Sequence, residues 1–150
     1  MSEMSKGTEK GLSHLLEAAG DSLALEELDL SGVKIGNAHV KLFFRAMERG
    51  ALQTLTQLTL GFDKKVTKLP ALIQAIEAGH LKELSCLSLG LSGISVQGAE
   101  ALAGAILVGC PKLRRWALGY IEEEAVSVMQ RVLAGRQGIK VFVDEFWRYR

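Results

Sequence analysis

The sequence predicts an α/β chain built from a repeated strand–helix unit, with a parallel sheet of about five strands and the helices on one side of it. Three observations carry that prediction. The pattern L-x-x-L-x-L occurs at Leu25-Glu-Glu-Leu28-Asp-Leu30, Leu55-Thr-Gln-Leu58-Thr-Leu60 and Leu84-Ser-Cys-Leu87-Ser-Leu89, and a fourth copy, Leu113-Arg-Arg-Trp116-Ala-Leu118, has tryptophan at one leucine position. The last leucines fall at 30, 60, 89 and 118, so the unit is 30, 29 and 29 residues long. After each pattern the apolar period lengthens from two to that of a helix, as in Ala99, Leu102, Ala103 and Ile106. One such unit cannot bury its own apolar stripe, and stacked copies can.

In chain order, residues 1–8 are small, polar and charged and read as a flexible lead-in. Leu12, Leu15, Leu16 and Ala19 then form a stripe over residues 9–19, a first helix without a preceding strand, as an N-terminal cap would be. The second helix is expected from about Asn37, a suitable N-cap, to Arg49. The third should run from about Lys68 to Ala78, capped by Thr67, with Pro70 tolerated in its first turn. The unit from Leu81 to Gly109 supplies the next strand and helix. Glu122, Glu123 and Glu124 open the last helix, where carboxylates suit the dipole, and it should end near Gly135. Gly20, Gly50, Gly79 and Gly109 stand nine or ten residues before the last leucine of the following pattern and read as helix stops. Ile139-Lys-Val141-Phe-Val143 alternates as a closing strand. The repeat domain is therefore 9–143, with four strand–helix repeats between the cap helix and that strand, and 144–150 is an aromatic and basic tail.

Strands joined by helical crossovers run parallel. Helices about 10 Å wide on one side of strands about 4.8 Å apart force such a sheet to curve, with the strands inside. Composition agrees with a folded domain: 150 residues can bury about two thirds of the unfolded surface, and 48% hydrophobic with 23% charged residues argues against disorder. The net charge of +1 gives no overall pull toward nucleic acid or an anionic membrane. Two cysteines in unlike places suggest no disulfide framework, and neither a secretory leader nor a membrane span is visible. A reduced, cytoplasmic setting is expected, with the nucleus as another.

Gly50-Ala-Leu52-Gln-Thr-Leu55-Thr-Gln-Leu58-Thr-Leu60 and Gly79-His-Leu81-Lys-Glu-Leu84-Ser-Cys-Leu87-Ser-Leu89 resemble the leucine-rich repeat superfamily, and the period with a full helix is similar to its ribonuclease-inhibitor-like subtype. The resemblance covers about residues 11–143. It implies a solenoid in the form of a short right-handed horseshoe arc, with the parallel sheet inside and helices on the outer face. It also implies a scaffold that binds partners. One position departs from the family, which usually has Asn or Cys three residues after the last strand leucine; here Val33, Asp63, Ser92 and Ile121 stand there.

For chemistry, His14, His39 and His80 lack metal-ligand spacing and read as surface histidines. Cys86 faces the inner side beside Ser88 with no histidine near it, and reads as a half-exposed thiol. No catalytic, metal or cofactor site is predicted. The inward strand positions change charge along the chain: Glu27 and Asp29, then Gln57 and Thr59, then Cys86 and Ser88, then Arg115 with Arg114 at its edge, and Lys140 beyond. Two residues past the final strand leucines, Phe62, Leu91 and Tyr120 are expected to form an exposed apolar row at the rim, with Arg115 and Tyr120 as anchors, the alternative being that they pack over the loops as a satellite cluster. Phe142, Phe146, Trp147 and Tyr149 near the C-terminus suit a lid that covers the open end of the repeats by folding back over the fourth helix, the alternative being a docking tail.

The expected function is therefore non-enzymatic binding of another protein through the concave face, with no specific nucleic acid and no membrane. Two rival expectations are a structural subunit held in a larger complex by its ends and helices, and regulation of a small GTPase, an activity of one ribonuclease-inhibitor-like family.

Overall fold

The computed structural model describes residues 2–3, 9–18, 25–62, 69–91, 94–119, 121–136 and 138–144. The strands are β1 (Ser2–Glu3), β2 (Glu27–Ile35), β3 (Gln57–Phe62), β4 (Cys86–Gly90), β5 (Arg115–Gly119) and β6 (Lys140–Val143). The helices are α1 (Glu9–Ala18), α2 (Asn37–Glu48), α3 (Leu69–Glu77), α4 (Val96–Gly109) and α5 (Glu123–Val132). All six strands form one sheet in chain order, and every neighbouring pair is parallel. The class is α/β. The sixth strand is the short β1, which pairs Ser2 with Leu28 and Glu3 with Asp29, so the reading of residues 1–8 as a flexible lead-in does not hold for these two. An edge strand leaves a row of backbone donors and acceptors open, and even two residues of added strand satisfy some of them.

Register follows the repeat. Leu28, Leu58, Leu87, Trp116 and Val141 lie in one row across β2 to β6, and Leu30, Leu60, Leu89, Leu118 and Val143 in the next. From Leu28 to Leu118 every member of the two rows is buried, as the alternation predicts, and the same core takes in Phe43, Leu72, Leu102 and Met129 from the helices. The helices therefore cover the leucine side of the sheet. At the C-terminal end the rows lose their cover, and Val143 is 57% exposed. β2 is longer than its neighbours. A register shift between Leu30 and Lys34 takes up the extra residues before Ile35 pairs with Phe62.

The helix ends differ from the expectation in two places. Gly36, not Asn37, is the N-cap of α2, and its N–H donates to Nδ1 of His39 at 3.1 Å. Gly50 and Gly79 do stop their helices in the left-handed region, at φ 81° and 89°. Gly109 does something else. It is the last residue of α4, and a Cβ placed there would lie 1.7 Å from the carbonyl oxygen of Ile76 near the end of α3. Close approach of two backbones, not a positive φ, requires glycine at that point. α4 begins as sequence rules favour, with Ser95 Oγ accepting the Gly98 N–H at 2.9 Å.

Neighbouring units are also tied by polar bonds at the start of the strands. The Glu26 carbonyl accepts from the N–H groups of Thr56 and Gln57 and from Thr56 Oγ1. The Thr56 carbonyl accepts from Ser85, Cys86 and Ser85 Oγ, and the Ser85 carbonyl from Arg114 and Arg115. Thr54 Oγ1 donates to Leu25, and the Cys110 thiol to Leu81, each across one repeat. Of the four positions three residues past the final strand leucines, Ile121 packs against the core, while Asp63, Ser92 and the Val33 side chain lie outside the described residues.

Candidate functional site

The strand positions between the leucines point away from the helices, and parallel register gathers them into rows. One row is Glu27, Gln57, Cys86, Arg115 and Lys140; the next is Asp29, Thr59, Ser88, Ala117 and Phe142. The strand-start ladder adds Glu26, Thr56, Ser85 and Arg114. Past the second row Lys34 of β2 pairs with Gly61, and β3, β4 and β5 present Gly61, Gly90 and Gly119 in register, so across those three strands side chains cover only the first part of this open face. Glu26, Glu27, Asp29, Gln57, Arg114, Arg115 and Lys140 are exposed, and Thr59, Cys86, Ser88 and Phe142 are half-buried. The register thus brings together every inward residue that alternation had picked out, from Glu27 to Arg115.

Both ends of this face are partly preset. Asp29 Oδ1 accepts the Ser31 N–H at 2.9 Å, which holds the carboxylate at the β2 end. At the other end the Arg115 guanidinium and the Lys140 ammonium each stand 5.3 Å from the centre of the Phe142 ring. That distance is within cation–π range. Phe142 is the residue that sequence reasoning placed wrongly, by grouping it with the aromatic lid. The alternation of β6 carried the signal, since Lys140 and Phe142 share the parity that puts Arg115 and Ala117 on the open face. Phe146, Trp147 and Tyr149 lie outside the described residues.

The expected apolar rim row needs correction. Phe62 is 8% exposed and Leu91 2%, and both belong to the core cluster. An apolar side chain just past a strand gains more by folding over the core than by standing at a rim, and it takes that option here. Phe62 and Leu91 leave the candidate surface. Tyr120, the third member, lies outside the described residues.

The reactive side chains are placed as follows. Cys86 and Cys110 are both free, Cys86 half-buried on the open face and Cys110 buried at the end of α4. Burial pushes the Cys110 thiol up to about 11, against a smaller downward pull from Arg136, so it stays protonated and inert near neutrality. His14 is exposed on α1. His39 is not a surface residue: it is buried, its Nδ1 closes the start of α2, and its Nε2 has no partner among the described residues. Among the described residues no three His, Cys, Asp or Glu side chains gather to hold a metal ion. No described helix is long and apolar enough to cross a membrane. No protein-family model and no curated protein matches the chain.

Proposed function

We propose that the chain is a leucine-rich repeat solenoid of the ribonuclease-inhibitor-like kind, and that it binds a protein partner, without catalysis, through the concave face of its short arc. The observation that carries this reading is the division of labour within each strand. The leucine rows are consumed by the core, whereas of the rows between them only Ala117 is buried, and Glu27, Asp29, Gln57, Arg115 and Lys140 stand in solvent beside the half-buried Thr59, Cys86, Ser88 and Phe142. A face spared from folding and fixed in register by five strands is preorganised for binding. The proposed setting is the cell interior, where Cys86 and Cys110 remain free thiols.

A second reading, a subunit held in a larger assembly by its helices, is favoured by Leu107 and Val108 on α4, which are 41% and 67% exposed. One experiment separates the two. Tagged full-length chain would be used to capture partners from native cell extract, beside a Gln57→Arg, Thr59→Arg variant and a Leu107→Glu, Val108→Glu variant, all three checked for folding by circular dichroism. Loss of a stoichiometric partner with the first variant only supports the open-face reading. Loss with the second variant only supports the assembly reading, and retention by both removes both surfaces.

A further inference from the structure

The charge order runs the same way in the strand-start ladder and in the Glu27 row; the Asp29 row keeps only its acidic end, and the Gly61 row begins with the exposed Lys34 on β2. From β2 toward β6 the strand-start row reads Glu26, Thr56, Ser85, Arg114, the next reads Glu27, Gln57, Cys86, Arg115, Lys140, and the third runs from Asp29 to Phe142. Three acidic groups and Lys34 lie at the β2 end, uncharged groups at β3 and β4, and three cations, an aromatic ring and, just past β6, Asp144 at the other end, so each pole keeps a net charge of its own sign. Among the described residues Lys112 and Glu83 form the one ion pair, and it involves the side chains of neither pole.

We infer that the open face recognises a dipolar peptide segment of its partner, lying across the strands with a basic end over Glu26, Glu27 and Asp29 and an acidic end over Arg114, Arg115 and Lys140. The inference rests on the open-face reading above and goes on to state the chemistry of the occupant. Strands about 4.8 Å apart put three steps, about 14 Å, between β2 and β5, and four, about 19 Å, between β2 and β6. Both distances exceed the Debye length of about 8 Å at physiological ionic strength, so the poles act as two sites and do not cancel. A nucleic acid or an anionic membrane offers one sign of charge only, and the acidic pole would repel it. A peptide can offer both signs. Its opposite charges should be about 4 to 6 residues apart if it is extended, at about 3.3 Å per residue, or about 9 to 13 apart if it is helical, at about 1.5 Å per residue.

The two poles differ in how they would hold their charge. At the acidic pole three exposed carboxylates come from one strand and the residue before it, and a lysine or arginine of the peptide would meet negative charge there. At the basic pole the Phe142 ring already positions the cations of Arg115 and Lys140, so a carboxylate arriving there orders fewer side chains as it binds. The half-buried ring also gives an apolar side chain next to that carboxylate a surface to rest on.

The test is selection from a displayed library of random peptides of about sixteen residues, long enough for the helical spacing, panned on the full chain. The expected binders carry a basic and an acidic residue at one of the two separations. A synthetic binder should weaken by about tenfold or more against Glu27→Lys, Asp29→Lys and, separately, against Arg115→Glu, Lys140→Glu. Panning on the first variant should replace the basic residue by an acidic one. Binders that are lost with Gln57→Arg, Thr59→Arg but show no such charge pair would overturn this inference and leave the open-face reading standing. Binders indifferent to that variant, or no binders at all, would count against both.

Discussion

The two faces of β3, β4 and β5 are one residue apart in sequence and opposite in what they permit. On the covered face the rows read Leu58, Leu87, Trp116 and Leu60, Leu89, Leu118, all buried. On the open face they read Gln57, Cys86, Arg115 and Thr59, Ser88, Ala117. A close-packed interior admits a narrow range of volumes and no unpaired charge, so every repeat gives nearly the same answer there. Solvent admits almost anything. Variation on the open face is therefore less constrained by the fold, and the buried Ala117 is the one member of these two rows that packing holds.

The sharpest way to break this comparison is to truncate adjacent residues of one strand. Leu87→Ala should cost roughly 2 to 5 kcal/mol, through lost apolar burial and the cavity left between sheet and helices. Cys86→Ala, one residue away, should shift stability by less than about 0.5 kcal/mol. Urea titrations of both variants measure the contrast, and equal losses would mean that the two faces are not distinct in packing.

The helices allow a second contrast, because α4 contains two glycines in unlike surroundings. Gly109→Ala drives a methyl group into the Ile76 carbonyl oxygen and should destabilise by about 1 to 3 kcal/mol as the ends of α3 and α4 are forced apart. Gly104 meets nothing within 4 Å, so Gly104→Ala should instead stabilise, by about 0.5 to 1 kcal/mol, as a helix-interior glycine replaced by alanine does. Thermal unfolding followed by circular dichroism would show the opposite signs. A loss with both would point to helix propensity or crowding that the backbone geometry does not contain.

How much was legible follows the same division. Leucines at period two and helical stripes at period three to four report burial directly, so the strand register, the core rows and the inward residues from Glu27 to Arg115 could be read before any coordinates. Ser2–Glu3 could not, because a two-residue strand has no alternation and is held by the edge of β2. Phe62 and Leu91 were misjudged for a related reason: a turn position says where the backbone goes, and only packing decides whether its side chain returns to the core. The strand-start ladder was readable in principle, since Thr56 and Ser85 stand one repeat apart, but short hydroxyl side chains are equally at home in any turn. Gly109 looked like its counterparts because a helix stop and a backbone crossing both demand glycine.

The smallest expected effect lies on neither face but in the turns before β4 and β5, where Lys112 Nζ donates to Glu83 Oε1 at 2.7 Å across one repeat. That hydrogen bond, with the Lys112 charge behind it, holds the Glu83 carboxyl below its ordinary value. A carboxyl with a lowered folded-state pKa binds fewer protons folded than unfolded in the acid range. Its contribution is therefore complete above the unfolded-state pKa of about 4.3 and is lost as pH falls through the folded value. Both side chains reach solvent, at 61% and 37% exposure, so salt should weaken the pair at any pH. Lys112→Met should accordingly lower the urea midpoint slightly at pH 6, and the difference from the unaltered chain should fade at pH 3 and at about 1 M salt. A difference that persisted unchanged at pH 3 would assign the effect to the Lys112 stem packing on its neighbours, and the turns would then belong with the covered face after all.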